Sequence, residues 1–147
     1  MPPAESFRLL APEHQRQVHL RLCGEALRVW MAYAAEHSPV RYADSVVGMR
    51  HEVDARLPHD ALRSARSGAD LADVQRRYQE PIVAMQDCDL EFPDPIKFAY
   101  YAIYNCFRRY ALGEEIDPWV IVNQALSSID DGASWSPRLT AAIAAAS

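Results

Sequence analysis

The sequence predicts an all-α fold, a single-domain bundle of about six to eight helices, some of them short. Three observations carry that expectation. Four times a small capping residue is followed at once by proline, at Ser38-Pro39, Asp94-Pro95, Asp117-Pro118 and Ser136-Pro137. An Asp or Ser side chain accepts a hydrogen bond from a first-turn amide, and the adjacent proline starts a helix with φ already set and no amide to leave unpaired. Most of these pairs are followed by apolar residues at a spacing near 3.6. Strand signals are weak, because the β-branched runs Val46-Val47 and Val120-Ile121-Val122 lie inside segments that fit helical spacing better.

Taken in order, residues 1–11 form a Pro-rich lead expected to be loosely ordered. Pro12 to His37 reads as the first helix, with His19, Leu22, Cys23, Ala26, Leu27, Trp30, Tyr33 and Ala34 on one face and Arg16, Arg21, Glu25 and Arg28 elsewhere. Ser38-Pro39 is expected to open a second helix to about Leu57, burying Ala43, Val46, Val47, Val53 and Leu57 with Arg50 on the border. Pro58 restarts a short helix to about Arg66, ended by Ser67-Gly68. Asp70 caps a segment from Leu71 to Glu80, and Pro81 begins another to about Cys88. The stretch from Asp87 to Asp94 holds four carboxylates in eight residues and is predicted to be an exposed loop. From Asp94-Pro95 the most hydrophobic helix runs to Ala111 or Leu112 and is closed by Gly113, where a left-handed residue satisfies the last carbonyls. Asp117-Pro118 starts a helix to about Ile129 that turns Trp119, Val122, Ala125, Leu126 and Ile129 inward. Ser136-Pro137 begins a terminal Ala-rich helix that frays at Ser147.

A chain of 147 residues fits one domain, 1–147, able to bury about 70% of the surface its unfolded form exposes. The formal charge of -5 and pI near 5.5 disfavour nonspecific attachment to nucleic acid or anionic membrane and suit a basic partner. Cys23, Cys88 and Cys106 are odd in number, and no Cys or His spacing marks a zinc site or a disulfide framework, so reduced thiols are expected. The first residues lack the basic start and apolar core of a signal peptide, and no run approaches the roughly 18 apolar residues of a membrane span. A cytoplasmic location and no cofactor are the expectations.

The helix over 95–112 carries the most information. Ile96, Ala99, Tyr100, Ile103, Cys106, Phe107 and Tyr110 fall on one side; the reverse side holds Lys97, Phe98, Tyr101, Asn105, Arg108, Arg109 and Leu112. A solvated face is usually coated with Glu and Lys, whereas Tyr and Arg are enriched at interface hot spots. A helix apolar nearly all round is also what the centre of a bundle requires. Tyr101, Asn105 and Arg108 are spaced so that their polar tips could converge on a carboxylate, a phosphate or a partner's backbone. Carboxylates flank this helix, with Asp87, Asp89 and Glu91 before it and Glu114 and Glu115 after it, an arrangement suited to steering a basic protein.

Catalytic signals are sparse. The five histidines, His14, His19, His37, His51 and His59, all lie in the first 60 residues, and His51-Glu52-Val53-Asp54 with His59-Asp60 sets imidazoles beside carboxylates. No two of them share the i, i+4 spacing of helical metal ligands, so surface or capping roles fit them better. Cys106, on the inner side of its helix, reads as packing. Neither a Gly-rich phosphate loop nor a GxSxG elbow occurs.

The stretches Tyr42-Ala-Asp-Ser-Val-Val-Gly-Met-Arg-His-Glu-Val-Asp54, Pro95-Ile-Lys-Phe-Ala-Tyr-Tyr-Ala-Ile-Tyr-Asn105 and Asp117-Pro-Trp-Val-Ile-Val-Asn-Gln-Ala-Leu126 resemble small all-helical bacterial immunity proteins that accompany secreted toxins. The resemblance is one of texture without a defining motif, and no family residues carry over. It implies a cytoplasmic, non-catalytic protein, monomer or homodimer, that forms a tight complex with a cognate, basic toxin. The alternative is a helical enzyme or a metal- or small-ligand-binding domain built on the His-rich N-terminal half. A third possibility is a regulator whose aromatic face pairs with itself.

Overall fold

The computed structural model describes residues 1–43, 50–85, 89–90, 93–129 and 135–146. Its body is an all-α bundle of seven helices among the described residues: α1 (Pro3–Arg8), α2 (Pro12–Glu36), α3 (Leu57–Ser67), α4 (Leu71–Met85), α5 (Asp94–Tyr110), α6 (Pro118–Ile129) and α7 (Trp135–Ala145). Helix α5 is central, packing against α2, α3 and α6. Its apolar stripe, Ile96, Ala99, Tyr100, Ile103, Cys106 and Phe107, is buried, as is the α2 stripe of His19, Leu22, Cys23, Ala26, Trp30 and Ala34. The 3.6-residue spacing read from the sequence is therefore the spacing of the core.

Local chemistry sets several boundaries where the sequence places them. The carboxylate of Asp117 accepts the Trp119 amide at 2.9 Å and opens α6. Gly68 and Gly113 take positive φ, 74° and 72°. Gly68 donates its amide to the Ser64 carbonyl at 2.7 Å, and the turn at Gly113 lets Glu114 reach back to the Arg108 carbonyl at 2.9 Å.

Elsewhere tertiary contacts overrule the local reading. After Ser38-Pro39, whose peptide bond is cis, the described residues 41–43 and 50–52 are strand instead of the expected helix, and Val46 and Val47 lie outside the described residues. These strands, β1 (Arg41–Ala43) and β2 (Arg50–Glu52), join β3 (Asp89–Leu90) in a small antiparallel ribbon of order β2-β1-β3. Tyr42 stands opposite both His51 and Leu90, and the Val53 amide closes the hairpin on the Val40 carbonyl at 2.8 Å. Half of this ladder comes from a strand more than forty residues away, and helical periodicity cannot register it. The lead is ordered too: α1 buries Phe7 completely, its ring 5.3 Å from His19 and 6.3 Å from Trp119. Helix α4 runs unbroken through Pro81 instead of restarting there. The proline removes the bond its amide would have made to the carbonyl of Arg77. Asp94 is the first residue of α5 and makes no side-chain cap; Pro93 occupies the cap position, and Asp94 lies 3.7 Å from Lys97 instead. Ser136 lies inside α7, where its carbonyl accepts the Thr140 hydroxyl at 3.0 Å.

One core residue carries a cost. The Tyr78 ring packs on Tyr104, Tyr100 and Phe107 with centroids 5.0, 5.6 and 5.6 Å away, while its buried hydroxyl has no hydrogen-bond partner among the described residues. Tyr78→Phe keeps the ring and removes an unpaired polar group, so it is expected to stabilise the fold by about 1 kcal/mol. Differential scanning calorimetry should show a rise of about 3 °C. A lower melting temperature would mean that the hydroxyl is bonded in solution.

Candidate functional site

Helix α5 presents its second face along one edge of the bundle, where α6 covers part of it. Asn105 donates from Nδ2 to Oε1 of Gln124 on α6 at 2.8 Å, and Arg109 donates from Nη1 to the Ile116 carbonyl, just ahead of α6, at 2.6 Å. Arg108 folds back on Glu114 through Nε and lies over the Tyr104 ring, 5.6 Å from its centroid. The polar tips of Tyr101, Asn105 and Arg108 therefore do not converge on an outside point, because two of the three are already used within the molecule.

What remains outward is aromatic. Phe98 is 38% exposed, and Tyr101 is half-buried, with burial pushing its hydroxyl above the usual tyrosine range. Lys97 flanks them, held near Asp94. Of the acidic residues, Asp87 and Glu91 lie outside the described residues. Asp89 belongs to β3, paired with Ala43, so this part of the expected loop is strand. Glu114 is engaged by Arg108, and Glu115 is exposed.

The histidines disperse. His19, buried between α5 and α6, donates from Nε2 to the Pro118 carbonyl at 2.8 Å and accepts the Tyr110 hydroxyl at Nδ1 at 2.5 Å, partners that select one neutral tautomer. Burial holds its pKa down to about 4. His14 reaches the Ile143 carbonyl at 3.1 Å, His37 stacks on Tyr33, and His59 lies 3.2 Å from Asp60. His51 is a residue of β2. Among the described residues no group of three His, Cys, Asp or Glu could hold a metal ion. Cys23 and Cys106 are buried, and the Cys23 thiol is pushed well above its usual range by its hydrogen bond with Cys106 and by burial, the opposite of what a nucleophile needs. Cys88 lies outside the described residues.

A feature that sequence reading missed is the cluster around Arg77. Its Nη1 and Nη2 reach Asp54 and Asp60 at 2.8 Å each, and Nε lies 3.1 Å from Asp73. Burial alone would raise the Asp60 carboxyl, but hydrogen bonds from Arg77 and His59 outweigh it and hold the group below the usual carboxylate range. For the guanidinium, burial works downward and the surrounding carboxylates overcome it. The cluster ties the end of the ribbon to α3 and α4. Only the Asp73 partner sits at helical spacing; the others are 23 and 17 residues away, beyond any local signal.

Comparison with known proteins finds no matching family model, no matching curated protein and no matching solved structure. Among the described residues no helix is long and apolar enough to cross a membrane.

Proposed function

We propose that this chain is a non-catalytic binding protein that neutralises a cognate, basic protein toxin in the cytoplasm by tight complex formation. The observation that supports the reading is the aromatic edge of α5. Phe98 and Tyr101 stay accessible on a helix whose opposite face is locked in the core, so two large rings are offered to a partner on a rigid support. Rings held in this way lose little entropy on association, and aromatic residues dominate interface hot spots. The negative net charge attracts a basic partner over distances set by ionic strength.

Co-expression tests the proposal. If a reading frame beside this one encodes a product that arrests growth, the wild-type chain is expected to restore growth. Phe98→Asp is expected to abolish rescue while the chain stays folded, with a modest fall in melting temperature because part of the ring is packed. Failure of the wild-type chain to rescue, or full rescue by the Asp variant, overturns the proposal.

A further inference from the structure

Helix α2 carries Gly24 at its middle, where glycine is disfavoured relative to alanine by roughly 1 kcal/mol. The structure supplies a reason for it. A Cβ at this position would stand 3.3 Å from Nη2 of Arg66, so the guanidinium from α3 crosses α2 where the helix has no side chain. The crossing lies in a groove of about 820 Å³ between α2, α3 and the last turn of α7. Its described walls bring Arg16, Arg21, Arg28 and Arg66 together with one carboxylate side chain, Glu25.

These arginines differ from others in the chain. Arg63, Arg76 and Arg77 each reach a carboxylate, at 3.8, 2.8 and 2.8 Å. Arg16 is held in place by the Arg66 carbonyl, which accepts from Nη2 at 3.1 Å, and by Glu13 at 3.6 Å. The side chains of Arg21, Arg28 and Arg66 have neither an ion pair nor a hydrogen bond among the described residues, although the chain carries 20 acidic side chains against 15 basic ones. Gathering four cations around few carboxylates costs free energy that an anion in the groove would offset.

We infer that this groove binds a small polyanion carrying at least two phosphate groups. Guanidinium forks match phosphate oxygens two at a time. Arg21 and Arg28 lie two turns apart on α2, about 10 Å along the axis, with Arg66 between them at Gly24, a row suited to a chain of phosphates. The volume falls in the range of about 300–1,000 Å³ typical of small-molecule sites. No aromatic ring is among the described lining residues, so the anionic groups carry the recognition. None of the outward residues of α5 lines the groove, and the inference stands apart from the toxin-binding proposal.

Isothermal titration with sodium tripolyphosphate at low ionic strength tests it. Saturable one-to-one binding is expected, weakening as salt rises. Arg21→Ala/Arg28→Ala should lose at least tenfold in affinity with an unchanged melting temperature, Glu25→Gln should bind more tightly, and Arg63→Ala should bind as the wild type does. Absence of saturable binding, an equal loss in Arg63→Ala, or saturation by an acidic octapeptide but not by tripolyphosphate would each overturn the assignment.

Discussion

Trp30→Ala is expected to cost about 3–5 kcal/mol, the range for truncating a fully buried large aromatic. The indole is completely buried at the junction of three elements. Its Nε1 donates to the Ala55 carbonyl at 2.7 Å, joining α2 to the segment that enters α3, and its ring lies 5.2 Å from that of Tyr100 on α5. Removing it opens a cavity at the centre of the bundle and leaves the Ala55 carbonyl without its indole donor. Domains have total stabilities of about 5–15 kcal/mol, so the variant is expected to sit close to unfolding at 37 °C. Urea titration followed by circular dichroism checks this. Trp30→Phe separates the contributions, since it keeps most of the volume and loses only the donor, at an expected cost of about 1–2 kcal/mol. A loss below about 2 kcal/mol in the alanine variant would show that the core refills without the indole.

The second large effect is one of pH. Burial lowers the His19 pKa from 6.5 to about 4, so the folded chain binds this proton less readily than the unfolded chain does. Stability from the neutral imidazole is therefore fully present above pH 6.5 and is lost as pH falls from 6.5 toward 4. At about 1.4 kcal/mol per pKa unit, the loss is roughly 3 kcal/mol, an order-of-magnitude figure. The local chemistry explains the direction. Protonation would place a donor at Nδ1, against the Tyr110 hydroxyl, whose own pKa burial raises to about 12, and would put a cation near Arg109. In His19→Gln the group that titrates is gone, so unfolding free energies measured at pH 7 and pH 4.5 should differ less than they do in the wild type. Equal differences in the two proteins would place the acid sensitivity elsewhere.

The long helices were legible because their signals are short-ranged. The stripes of α2 and α5 repeat every three to four residues, and the ends at Gly68, Gly113 and Asp117 depend on atoms within a few positions of each other. Asp94 and Ser136 show the limit of that logic: the residue type suited a cap, but α5 begins at Asp94 itself and α7 at Trp135, ahead of Ser136. The ribbon was illegible for a different reason. Tyr42-Ala43 needs Asp89-Leu90 beside it, and nothing near Tyr42 announces that partner.

The candidate site divides in the same way. Helical spacing put Phe98 and Tyr101 on the side of α5 away from its core stripe, and they remain accessible there. It could not show that Asn105 would be taken by Gln124, or Arg108 by Glu114, since those contacts depend on how the chain turns after Gly113. Nor could it show Arg66 lying across Gly24, with the groove that results.

By itself, then, the sequence determined the all-α class, the cores of its longer helices and several of their ends, because backbone hydrogen bonds and apolar periodicity act within a turn or two. Only the tertiary structure decided the ribbon, the Arg77 cluster and the balance of paired and unpaired cations. Those depend on residues tens of positions apart, which meet only once the bundle has closed around α5.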